Sequence, residues 1–131
     1  MKKICAINYH ALAKLLVRLQ RLKAIQEKEF GYNLEQYDLG MEGTLKYLIG
    51  NGYIEHVPTE LYSLEGKKKF LYALFCIPKK ECFYLSPKWL SNVMCTTVPK
   101  IKSLLKDLIE GQYIQPETPN VYKTWIKIKF V

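Results

Sequence analysis

Histidine is scarce in this 131-residue chain, close cysteine pairs are missing, and no apolar run is long. Each absence removes a class of function. The two histidines, His10 and His56, stand far apart and in no ligand spacing with a cysteine. Four cysteines (Cys5, Cys76, Cys82, Cys95) include no CxxC pair, so neither a thiolate zinc site nor a dithiol redox motif is indicated. Cys76 in FLYALFCIP and Cys95 in SNVMCTT lie among apolar residues, which reads as buried structural thiols kept reduced. No glycine-rich phosphate loop, GxSxG, HExxH or apolar carboxylate pair occurs, so the sequence is not read as an enzyme, and no metal or cofactor is expected. No stretch approaches the roughly 18–20 apolar residues of a membrane span, and MKKICAINYH lacks the apolar centre of a signal peptide. A cytoplasmic, intracellular and reducing location is expected.

What is present is a core-forming composition, 49% hydrophobic and rich in tyrosine, with a net charge of +8. The charge is unevenly placed. Met1 to Glu65 carries eight basic and eight acidic residues; Gly66 to Val131 carries twelve lysines against Glu81, Asp107, Glu110 and Glu117. The entire surplus lies in the second half, which favours a polyanionic partner there.

Two segments sixty positions apart match: LKYLIGNGYI (Leu45–Ile54) and LKDLIEGQYI (Leu105–Ile114), identical at six of ten positions. Tyr62 and Tyr122 continue the register. In each copy the apolar spacing is helical, glycine punctuates the end, and an aromatic-aliphatic pair opens an extended segment, followed by a proline-bearing turn. The repeated unit reads as helix, glycine stop, strand, turn, strand. Upstream, Tyr9 to Gln26 carries Leu12, Leu15, Leu16, Leu19, Leu22 and Ile25 on one helical stripe. Phe70 to Ile77 is apolar all round and reads as a buried helix ended by Pro78. Phe83–Leu85 reads as a short strand. Ser86-Pro87 reads as a cap opening one helix, Thr96-Thr97 as a turn and a second cap. The alternation in TWIKIKFV predicts an outer strand with one buried face.

In the second half, SPKWLSNVMCTTVPKIKSLLKDLIEGQYI and the two following strands resemble a winged helix-turn-helix domain. In the first half, GYIEHVPTELYSLEGKKKF is similar to the wing and exit of MarR- and PadR-like regulators. The resemblance implies an α+β, mainly α fold of two tandem winged-helix-like units with small β wings. Residues 1–65 would form a neutral unit for packing or oligomerisation, and 66–131 a basic helix-turn-helix unit.

Such a domain lays its second helix in the DNA major groove. Carried over, that helix runs from Val98 to about Glu110, with Ile101, Leu104, Leu105 and Leu108 inward and Pro99, Lys100, Lys102, Ser103 and Lys106 outward. Three lysines within two turns suit phosphate neutralisation, and Thr97 and Ser103 suit phosphates or base edges. No Arg, Asn or Gln shares this face, so bidentate base readout is missing from it. A wing tip at Pro116 to Asn120 would add Asn120 and Lys123, while Lys127 and Lys129 read more readily as protection of an exposed strand edge than as a binding surface. The matching helix of the first copy offers Asp38, Gly40, Glu42, Gly43 and Thr44 instead, which disfavours phosphate. Lys67 to Lys69 reads as a solvated helix start, and Tyr84 and Trp89 as core or interface in preference to base-stacking rings.

These features predict a DNA-binding protein contacting double-stranded DNA through the second unit. A small transcriptional regulator or replication accessory factor of phage or mobile-element type fits that size. The alternative is an adaptor or inhibitor that binds a protein partner. A homodimer through the first unit is a further alternative, though the leucine stripe of Tyr9–Gln26 reads more readily as the chain's own core. Single-strand or RNA binding is a third class, which the tyrosine content permits.

Overall fold

Asn8 opens the first helix: its side-chain oxygen accepts from the Ala11 N–H at 3.1 Å, filling one of the donors that a helix start leaves unmet. The computed structural model describes residues 7–19, 39–54, 56–77, 82–116 and 126–130. Helix α1 covers Tyr9–Leu19, α2 Gly40–Gly50, α3 Gly66–Phe75, α4 Pro87–Val93 and α5 Val98–Glu110; a 3₁₀ turn covers Thr59–Ser63. Strands β1 (Cys82–Leu85), β2 (Ile114–Pro116) and β3 (Ile126–Phe130) are short. Ser86 Oγ accepts from Trp89 N–H at 3.4 Å and Thr97 Oγ1 from Lys100 N–H at 3.3 Å, each with a proline in the first turn.

The sixty-residue repeat is realised as one helix stop built twice. After α2, the N–H groups of Asn51, Gly52 and Tyr53 donate to the carbonyls of Tyr47, Ile49 and Leu48. After α5, Gly111, Gln112 and Tyr113 donate to Asp107, Ile109 and Leu108, the same pattern at the same offset. Gly52 and Gln112 take the left-handed position, at φ 78° and 63°. This is a Schellman stop, and each tyrosine after it packs on apolar or aromatic surface. Tyr53 stacks on Tyr47, and Tyr113 meets Tyr72 edge-on at 5.4 Å.

The expected fold class of two tandem winged-helix-like units with small β wings is overturned. The described chain is dominantly helical, and none of the described residues of the first half is a strand. Where the first wing was expected, Pro58 instead leads into the 3₁₀ turn. The reason lies in the spacing. Leu61 and Leu64 are buried while Tyr62 and Ser63 are exposed, a period of three that a 3₁₀ turn satisfies and a strand does not. The final strand is also corrected. It is not an outer strand, because β3 lies in the middle of the antiparallel order β1-β3-β2, with Lys127 opposite Tyr84 and Lys129 opposite both Cys82 and Gln115.

The buried side chains form one cluster drawing on both halves of the chain, from Ile7 and Leu12 through Leu48 and Phe70–Phe75 to Leu105, Leu108 and Ile114. Helix α3, buried at every position from Phe70 to Phe75, sits between α2 and α5. Leu12, Leu15 and Leu16 of α1 are fully buried within the chain, and α1 packs on α4. Polar ties run across the same seams. Ser63 Oγ and Tyr113 OH lie 2.9 Å apart, Lys68 pairs with Asp107 at 3.3 Å, and Lys69 pairs with Glu42 at 3.5 Å beneath the Tyr62 ring.

Candidate functional site

Helix α5 turns Ile101, Leu104, Leu105 and Leu108 into the core, which leaves the opposite face to solvent. Thr97, Pro99, Lys100, Ser103 and Lys106 are exposed and Lys102 is partly so. Pro99, Ser103 and Lys106 run down the centre of that face, and Lys100 and Lys102 flank it on either side. Among the described residues Lys100 and Lys102 make no ion pair. Lys106 reaches Glu110 at 3.9 Å, four residues on. The acid that ends the lysine run, Asp107, is met by Lys68 of α3, so its charge is offset from outside the helix. Asn120 and Lys123 lie outside the described residues. Lys127 and Lys129 lie in β3, where only the backbone register is described.

The first copy presents no equivalent surface. Thr44 is fully buried and its hydroxyl lies 3.5 Å from Tyr9 OH, because the offset of sixty matches it to buried Leu104. Tyr9 OH also accepts from Gly40 N–H at 3.1 Å, tying α1 to the start of α2. Glu42 is engaged by Lys69, and Gly43 packs against Leu39. Asp38 lies outside the described residues. The lysine run at 67–69 is likewise more than a solvated helix start, since two of its members join separate elements.

The thiols depart from expectation. Cys95 is exposed, not buried: it follows α4 at φ 52°, and the stop there turns Val93 and Met94 inward while Cys95 faces out. Cys76 is half-buried, and burial pushes its thiol up to about 12. Burial also raises the Tyr72 hydroxyl, with smaller contributions from Cys76, Glu60 and Tyr113.

A second feature borders the α5 surface. An open cleft of about 680 Å³ is lined by Asn8, Ser86, Lys88, Trp89, Ser91, Asn92, Cys95 and Thr96. Asn8 fixes its floor: the Asn8 N–H donates to the Val93 carbonyl at 2.7 Å, and its Nδ2 donates to Asn92 Oδ1 at 3.3 Å. Asn8 was readable in the sequence as a cap ahead of an apolar helix, but its junction with a residue 84 positions away was not. Lys88 and Asn92, four apart on α4, belong to no recognised motif, so the sequence does not single them out.

No protein-family model, curated protein or solved structure matches the chain. Among the described residues, no helix is long and apolar enough to cross a membrane.

Proposed function

We propose that the chain binds double-stranded DNA through the exposed face of α5, gripping the phosphate backbone more than reading base edges. The observation that carries this reading is the pair of flanking lysines, Lys100 and Lys102, which have no ion-pair partner among the described residues, with Lys106 between them on the exposed face. A helix of 13 residues entered by a short turn from α4 has dimensions that suit the major groove. Thr97 and Ser103 add hydroxyls at its leading end. The face offers lysine point charges and no bidentate partner for guanine or adenine, which supports weak sequence preference.

Competition separates this reading from its rivals. A labelled random duplex bound to the protein should be displaced by unlabelled duplex far more readily than by oligo-dT or poly-glutamate at equal charge. Displacement led by poly-glutamate points to an acidic protein partner, and displacement led by oligo-dT to single-strand binding. Either result sinks the duplex reading.

A further inference from the structure

The cleft beside α4 is not needed by the α5 surface, and its chemistry is distinct. Among the described residues its wall carries one cation, Lys88, which is exposed and makes no ion pair with any of them. Among the described residues no carboxylate lines it. Asn8 spends its oxygen on the Ala11 N–H and its Nδ2 on Asn92 Oδ1. That bond holds the Asn92 amide with its oxygen toward Asn8, which leaves the Asn92 Nδ2 as a donor beside Lys88, one helical turn away on the same side of α4. The Ser91 hydroxyl donates to the Lys88 carbonyl at 2.6 Å, and the Ser86 oxygen accepts from Trp89 N–H, a bond that does not use its O–H. Trp89, half-buried and packed on the core, brings an indole to the same wall.

A cation and an amide donor, with no acid among the described lining residues, suit an anion. An indole and a volume of about 680 Å³ are more than a lone phosphate needs, and they suit a planar ring joined to it. We propose that this cleft binds a nucleotide monophosphate unit, with the phosphate toward Lys88 and Asn92 and the base toward Trp89. The unit is either a free mononucleotide or one unpaired nucleotide of a strand. The site is independent of duplex binding by α5.

The test uses the full chain with Trp125→Phe, which leaves Trp89 as the sole tryptophan. Titration with AMP should quench its fluorescence saturably, and adenosine or inorganic phosphate alone should bind at least about tenfold more weakly. Lys88→Ala and Asn92→Ala, both at exposed positions, should each weaken AMP about tenfold while the circular dichroism spectrum is kept. AMP should also protect the Cys95 thiol at the cleft from alkylation, mapped by mass spectrometry. Tighter saturation by oligo-dT, competed by AMP, assigns the unit to a strand; saturation by AMP with no gain from oligo-dT assigns a free nucleotide. Absence of saturable quenching by both, or equal AMP affinity in wild type and the folded Lys88 and Asn92 variants, overturns the proposal. Neither outcome depends on α5, so loss of duplex binding in a lysine variant of α5 leaves this result standing.

Discussion

Single residues in this chain do work that their type alone does not announce. Cys76 illustrates it. Its neighbours turn a thiol of ordinary pKa 9.0 into one at about 12, because the charged form would lose its water. The consequence has a definite sign. The unfolded chain releases this proton near pH 9 and the folded chain holds it until about 12, so stability present below pH 9 is lost as pH rises through that interval. The loss should approach roughly 1.4 kcal/mol per pH unit, and Cys76→Ala should remove it. Urea unfolding between pH 8 and 11 checks this; parallel curves for the two proteins contradict it. Cys95 shows the opposite case. Val93 and Met94 beside it are fully buried, yet the left-handed φ of 52° after α4 turns the thiol outward. Composition around a residue therefore misled where backbone geometry decided.

At the scale of elements, the helix starts were legible and one of the stops was displaced. Ser86-Pro87 and Thr97 before Pro99 are capping chemistry that any sequence carries openly, and both caps form. The apolar row of α5 likewise gave its buried face from spacing alone. The stop of α5 was less transparent, because glycine marks it at Gly111 while the left-handed position falls on Gln112. Gly111 is instead required for space: a Cβ there would stand 2.7 Å from the Tyr113 ring. Gln112→Gly should therefore raise stability by about 1 kcal/mol, since glycine accepts φ 63° without the Cβ penalty. A shift of the urea midpoint upward with unchanged slope is the expected sign, and a downward shift contradicts the assignment. The first-half wing failed for a comparable reason. Leu61 and Leu64 are three apart, a spacing that was visible, but the preceding match to the second copy favoured an extended reading over it.

On the scale of the whole molecule, the repeat and the charge asymmetry divide labour between the halves. The same helix stop serves both copies, yet α5 sets Lys100, Lys102 and Lys106 on its outward side, while α2 has Lys46 alone, buries Thr44 and yields Glu42 to Lys69. Such cross-ties were not legible, because pairing Lys68 with Asp107 or Asn8 with Asn92 depends on how elements dock and not on local pattern. One of them touches the lysine face itself: Lys68 meets Asp107, the acid that follows Lys106, while Glu110 is met by Lys106. The measurement that tests the central claim most directly is fluorescence anisotropy of a labelled random duplex at two salt concentrations. Wild type should be compared with a Lys100→Ala, Lys102→Ala, Lys106→Ala variant. If these three lysines each neutralise one phosphate, the variant should flatten the log-affinity against log-salt slope by about 2.7 and weaken binding throughout. Equal binding and equal slopes in the two folded proteins would contradict the account.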